Sequence, residues 1–71
     1  MNDREKLILI AQVFGQLNGK FTAQMIYDFI FTNKHKFRKA MTSKRVGVLL
    51  SQSKKFERIE GKSHSVYYKV V

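Results

Sequence analysis

The C-terminal segment, residues 42–71, constrains the fold of this chain more than any other, because a short basic helix runs directly into two short strands there. Thr42 or Ser43 is a natural N-cap, and the helix is predicted to run from there to about Ser53. Its inward-facing residues follow the spacing of an amphipathic helix: Val46, Leu49 and Leu50. Gly47, inside this helix, permits either close approach of a partner's backbone or close packing of a neighbouring helix.

Two runs with the period of a β-strand follow this helix and predict an antiparallel hairpin. The first run covers residues 56–60 and the second covers residues 66–71. Gly61 opens the polar turn between them, residues 61–65. The alternation in the second run predicts one face with Val66, Tyr68 and Val70, and another with Tyr67, Lys69 and Val71.

The N-terminal half predicts two further helices, over residues 3–17 and 23–32. The first ends at Asn18-Gly19, because glycine readily takes the positive φ found beyond a helix end. The second follows Thr22, which has the side chain of an N-cap. Between the two helices, Lys20-Phe21 predicts a very short extended segment.

Apolar spacing predicts which sides of these two helices are buried. The first helix is expected to bury a stripe of Leu7, Ile10, Ala11, Phe14 and Leu17. Ile8, Leu9 and Val13 widen this stripe, so the helix is expected to be covered on more than one side. The second helix is expected to bury Met25, Ile26, Phe29 and Ile30. Residues 33–41 predict a basic loop anchored by Phe37 and Met41.

Positive charge is concentrated in the second half of the chain. The 71 residues carry a net charge of +9. Residues 34–62 hold ten of the fourteen basic side chains and two of the five acids, whereas the first 33 residues are neutral. This asymmetry indicates a nucleic-acid-binding half on a structural half. The length fits a single domain, residues 1–71, of the α+β class and mostly α.

The order of helix, short strand, helix, helix, strand, turn and strand resembles a winged helix-turn-helix DNA-binding domain. The resemblance is carried by FTAQMI (21–26), TSKRVGVLL (42–50), FERIEG (56–61) and VYYK (66–69). It implies a three-helix bundle with a C-terminal two- or three-stranded antiparallel β-hairpin, the wing. The connection between the second and third helices is longer and more basic than the turn of a minimal helix-turn-helix.

The resemblance also implies which residues contact double-stranded DNA. The third helix would enter the major groove and offer Ser43, Lys44, Arg45, Val48, Ser51 and Gln52. The wing would contact phosphates through Lys62, Ser63 and His64, and Arg58 and Lys69 in the strands would extend the same surface. Charge, rather than the resemblance, predicts further contacts of the basic loop and of the segment after the third helix with the DNA backbone, through Lys34, Lys36, Arg38, Lys39 and Lys55.

The sequence lacks the usual features of metal sites, enzymes and membrane proteins. There is no cysteine, and the two histidines and five acids show no metal-ligand spacing. No nucleophile motif or glycine-rich phosphate loop is present, so we expect no enzyme activity, cofactor, metal or small-molecule substrate. The longest apolar run, residues 7–11, is too short for a membrane span, and no secretory leader is evident. We therefore expect a cytoplasmic protein, nucleoid-associated in a prokaryote or acting in the host cell if viral, without a membrane partner.

Two other functions remain open from the sequence. The same charge suits an RNA- or ribosome-associated binder, and the same fold suits an adaptor whose basic face meets an acidic protein. A homodimer on a two-fold operator is a further expectation, because a module of this size buries a limited interface alone. Tyr27 and Phe31 flank the predicted core and are candidates for such an interface.

Overall fold

Three helices and one β-hairpin form an α+β fold that is mostly helical. The computed structural model describes residues 1–61 and 65–71, so Lys62, Ser63 and His64, the predicted tip of the wing, lie outside the described residues. The elements are α1 (Asp3–Asn18), α2 (Ala23–Thr32), α3 (Ser43–Gln52), β1 (Phe56–Glu60) and β2 (Val66–Val70). These bounds confirm the predicted elements to within about one residue at each end.

Side-chain caps explain where each helix begins. The side-chain oxygens of Asn2, Thr22 and Thr42 each accept a backbone N–H three residues later, at 2.8 to 3.1 Å. Each bond satisfies one of the amide groups that a helix leaves unpaired in its first turn. The predicted stop after α1 is confirmed, since Gly19 has a φ of 78°.

The hairpin is antiparallel, and its register pairs Phe56 with Val70 and Glu60 with Val66. Phe21 adds an isolated bridge on the other edge of β2. Its N–H donates to the carbonyl of Tyr68 at 2.9 Å, and the N–H of Tyr68 donates back at 2.7 Å. The predicted short extended segment at Phe21 is therefore confirmed, and β2 lies between it and β1.

The core lies where α1, α2, α3 and the hairpin meet. Phe21 is fully buried at its centre and contacts Phe14 and Phe56 edge to face, with ring centroids 5.9 and 5.7 Å apart. Such aromatic pairs add to the free energy gained by burying the rings. The other buried hydrophobic residues are Leu7, Ile8, Ala11, Ile26, Ile30, Val46, Leu49, Leu50, Phe56 and Tyr68.

The predicted burial of α1 is wrong in two respects. Leu17 is 80% exposed, and Leu9 and Val13 are each 50% exposed, so residues 1–61 and 65–71 cover the helix on one side only. Ile8 is buried as predicted, and the buried side also includes Gly15. A Cβ at Gly15 would lie 2.5 Å from Cγ2 of Val70, so glycine permits α1 to approach the hairpin closely.

The predicted burial of α2 is wrong at Met25, which is 39% exposed. Its sulfur accepts the N–H of Thr22 at 3.4 Å, so the side chain turns back to the start of the helix. Phe29 is half-buried, and Ile26 and Ile30 are buried as predicted. The predicted loop anchors are confirmed, because Phe37 and Met41 are half-buried against the core.

Candidate nucleic-acid interface

The outer side of α3 is an exposed, mainly polar surface. Val46, Leu49 and Leu50 fix the opposite side of the helix in the core. The residues predicted for the major groove are all exposed: Ser43, Lys44, Arg45, Val48, Ser51 and Gln52. Val48, an apolar residue, is 47% exposed among cationic and polar neighbours. We call this set the α3 face.

One edge of the α3 face is joined to the hairpin. The hydroxyl of Ser51 hydrogen-bonds to the hydroxyl of Tyr68 at 2.7 Å, and the carbonyl of Gly47 accepts from Tyr68 at 3.4 Å. Tyr68 is a buried residue of β2. The orientation of the hairpin relative to α3 is therefore fixed by polar contacts as well as by packing.

The other edge of the α3 face adjoins the start of α1. Both carboxylate oxygens of Asp3 accept backbone N–H groups of the basic loop, from Arg38 at 2.9 Å and from Lys39 at 3.0 Å. These two bonds, followed by the positive charges of Arg45 and Arg38, hold the pKa of Asp3 below its usual value. Asp3 therefore joins the first turn of α1 to the basic loop, within range of the charge of Arg45 in α3.

Lys6 fixes the same loop at a second point. Its ammonium donates to the backbone carbonyl of Lys36 and lies 5.0 Å from the centre of the Phe37 ring. The sequence pattern assigned neither Asp3 nor Lys6 to the site. Their loop partners lie 30 to 36 residues away, so no local pattern could have identified them.

The four loop cations predicted to contact the DNA backbone are exposed: Lys34, Lys36, Arg38 and Lys39. Lys34 is the one described non-glycine residue with a positive φ, at 54°. It lies two residues beyond the end of α2, where the N–H of His35 donates to the carbonyl of Ile30 at 3.1 Å. Most residues avoid this conformation for steric reasons, and glycine usually occupies it.

The hairpin does not present its two cations on one surface, so that part of the prediction is wrong. Arg58 pairs with Tyr68 and therefore lies on the hairpin face that meets α3. Lys69 pairs with Glu57 and lies on the opposite face. Of the two cations, Arg58 alone shares the hairpin side that meets α3, because neighbouring residues of a strand alternate between the two sides of a sheet.

Lys55 lies apart from the basic loop, beyond the C-terminal end of α3. With Arg4 and Lys54 it lines a groove of about 580 Å³ beside α1. Its backbone carbonyl accepts the N–H of Val71 at 3.0 Å, which fixes the chain after α3. The loop cations instead adjoin the N-terminal end of α3, so the predicted backbone contacts form two separate groups.

Other kinds of site find little support in the described part of the chain. Residues 1–61 and 65–71 contain no cluster of three His, Cys, Asp or Glu side chains arranged to hold a metal ion. His35 is exposed and lies 6.0 Å, ring centre to ring centre, from Phe29. In the same residues, no helix is long and apolar enough to cross a bilayer.

Comparison with known proteins assigns no family to this geometry. No protein-family model, no curated protein and no solved structure matches the chain. Its function is therefore inferred from the chain's own residues and their arrangement.

Proposed function

We propose that this protein is a winged-helix protein that binds double-stranded DNA, as a small transcriptional regulator or an architectural factor. The observation that carries the proposal is the α3 face, which is exposed and cationic along a helix whose other side is buried. A helix of this kind fits the major groove of B-form DNA. The element order, including the extended residue Phe21 between α1 and α2, supports the winged-helix assignment.

The side chains of the α3 face have the chemistry of direct base recognition. Lys44 and Arg45 are hydrogen-bond donors suited to guanine. The side-chain amide of Gln52 can both donate a hydrogen bond to adenine and accept one from it. Val48 lies between them and suits the methyl group of thymine. Ser51 retains hydrogen-bonding capacity beyond its bond to Tyr68, because a hydroxyl can donate once and accept twice.

The basic loop and Arg58 supply backbone contacts on the two sides of the α3 face. The loop is held by Asp3 and Lys6, so its cations are positioned before DNA binds. Preorganisation of this kind lowers the entropy that binding must overcome. With a net charge of +9, the chain also has a strong attraction for a polyanion. A homodimer on two-fold related half-sites belongs to this proposal.

A salt-titrated binding assay tests the proposal. Wild-type protein, Lys44→Ala, Arg45→Ala and the control Lys69→Ala are each measured on duplex DNA, single-stranded DNA and structured RNA. We expect tight duplex binding whose log K falls steeply with log salt. Each α3 substitution should weaken it by about 1–3 kcal/mol if a base is read. The Lys69 control should bind like wild type, since that side chain lies on the far face of the hairpin.

Two outcomes would replace the proposal. Stronger binding to structured RNA at matched salt would favour the RNA- or ribosome-associated function. Duplex affinity no better than that of a generic polyanion, with no effect of either α3 substitution, would favour the protein adaptor. Sedimentation velocity with and without duplex tests the dimer separately.

A further inference from the structure

A second groove, of about 450 Å³, lies between the C-terminal half of α2 and the basic loop. Its floor is apolar and is formed by Tyr27, Ile30, Phe37 and Met41. Phe31 also lines the groove and is 74% exposed. We call this feature the α2–loop groove. Phosphates bind cations and hydrogen-bond donors, and the aromatic and aliphatic floor of this groove offers neither. Contact with the DNA backbone therefore does not explain the floor.

The rim of the α2–loop groove is positively charged. Lys34, Lys36 and Lys39 line it together with His35. Among the described residues, no Asp or Glu lines the groove. An apolar floor inside a cationic rim is complementary to a ligand with apolar anchors and negative charges beside them.

The conformation of Lys34 is a second, independent observation. Its φ of 54° lies in the region where glycine is tolerated best, yet the chain has a lysine there. This turn places the lysine in the lining of the groove, two residues beyond α2. Strain at a surface residue motivates a functional hypothesis when the side chain belongs to a candidate site.

We propose that the α2–loop groove docks an acidic amphipathic helix from a partner protein. Apolar side chains at three- and four-residue spacing would occupy the floor beside Phe31, and glutamates or aspartates would meet the lysines. A second copy of this chain is a poor occupant of this groove, because its net charge of +9 would repel the rim, so the homodimer of the proposed function would use a surface other than Tyr27 and Phe31. The inference goes beyond the proposed function, since α3 and the hairpin take no part in it. Because the lysines are shared, the peptide and duplex DNA should compete.

The test uses a short synthetic helical peptide of glutamates with leucine and phenylalanine anchors at helical spacing. A control peptide keeps every glutamate and replaces each anchor with serine. Binding is measured by fluorescence anisotropy to wild type, Phe31→Ser and Lys34→Gly. Val13→Ser and Lys69→Ala are matched controls, because they remove an exposed apolar residue and an exposed lysine outside the groove.

We expect the anchored peptide to bind at least about tenfold more tightly than the serine peptide, since burial of even one large apolar side chain gives that difference. Phe31→Ser should remove most of this gain and leave duplex binding unchanged. Lys34→Gly should weaken peptide binding about threefold at low salt. Both control variants should bind like wild type. Amide shifts in the NMR spectrum should map to α2 and the loop.

Equal binding of the two peptides, or no effect of Phe31→Ser, would overturn the inference and leave only non-specific charge attraction. Concentration-dependent self-association that protects Phe31 in the absence of peptide would overturn it in favour of a second copy. Failure of the DNA proposal is distinguishable, because it appears with Lys44→Ala and Arg45→Ala on duplex DNA while the peptide result stands.

Discussion

The hydroxyl of Tyr68 lies 2.7 Å from the hydroxyl of Ser51, so a buried residue of β2 is bonded to an exposed residue of the α3 face. Tyr68 also exchanges two backbone hydrogen bonds with Phe21. One residue therefore joins the extended segment before α2, the hairpin and α3. A change at Tyr68 should affect both the stability of the fold and the angle between α3 and the hairpin.

Tyr68→Phe keeps the ring in the core and removes only its hydroxyl. We expect the free energy of unfolding to fall by about 0.5–1.5 kcal/mol, the usual contribution of one such hydrogen bond. Ser51→Ala should cost less, because the Tyr68 hydroxyl keeps the carbonyl of Gly47 as an acceptor. Urea denaturation of both variants and of the double variant measures the coupling between them. Strict additivity of the two losses would show that the bond contributes nothing to stability.

Asp3→Asn should release the basic loop from α1 in a pH-dependent way. The pKa of Asp3 is lowered from 3.8 in the folded protein, chiefly by the N–H groups of Arg38 and Lys39. A lowered pKa means that ionised Asp3 stabilises the fold above its unfolded pKa, and that this contribution disappears as the pH falls through the folded pKa. Near neutral pH the variant should therefore be less stable than wild type, and in strong acid the two should converge.

Thermal denaturation across the acid range and hydrogen exchange of the Arg38 and Lys39 amides measure this effect. Glu5→Gln is the matched control, because it removes a carboxylate from the same first turn of α1. The control should leave both amides as protected as in wild type. An equal loss of protection in both variants would assign the effect to the α1 dipole rather than to the two hydrogen bonds.

Two glycines in helices should respond to alanine in opposite directions. A Cβ at Gly15 would lie 2.5 Å from Val70 and 2.7 Å from Phe21, so Gly15→Ala should destabilise the fold by about 1–3 kcal/mol. A Cβ at Gly47 would lie 3.7 Å from Cβ of Ala23, which is an ordinary contact. Gly47→Ala should therefore stabilise the fold by about 0.5–1 kcal/mol, since glycine weakens a helix interior.

The added methyl at residue 47 faces α2 rather than solvent, so duplex affinity should not change. If both results are obtained, residue 47 needs a glycine neither for close approach of a partner's backbone nor for close packing of α2. Weaker duplex binding by a more stable Gly47→Ala protein would show instead that DNA approaches the α3 backbone closely.

Local signals explain how much of the fold could be predicted from the sequence. Thr22, Thr42 and Gly19 each act within four residues of a helix end, so the element bounds were predictable. The exposure of Leu9, Val13 and Leu17 was not predictable from the sequence. Helical spacing gives candidate faces, and only tertiary packing decides which face is buried. The second side of α1 has no covering element among the described residues.

The candidate site was predictable where it lies on one element and not where it joins several. The α3 face follows from a single helical period anchored by Leu49 and Leu50. The loop is attached to α1 through Asp3, whose hydrogen-bond partners lie 35 and 36 residues away. A helical or strand period in the sequence carries no information about such distant contacts. The faces of Arg58 and Lys69 depend on strand register, and register becomes certain only once the pairing is known.

Arg58→Ala and Lys69→Ala remove equal charges from opposite faces of the hairpin. We expect Arg58→Ala to weaken duplex binding several-fold and to reduce the slope of log K against log salt by about one phosphate contact. Lys69→Ala should change neither quantity beyond a small long-range effect, because its neighbour across the strands is Glu57. Isothermal titration at several salt concentrations distinguishes them. Equal losses in both variants would mean that total charge, and not position, governs binding.

Lys34→Gly should separate stability from binding at the end of α2. Lysine at a φ of 54° is strained, and glycine relieves that strain, so the free energy of unfolding should rise by about 1 kcal/mol. The same substitution removes a cation from the basic loop, so duplex affinity should fall modestly and less at high salt. Lys34→Ala is the control, since it removes the charge but keeps a Cβ at the strained position. If Lys34→Gly and Lys34→Ala have equal stability, the turn is not strained, and the lysine needs no functional explanation.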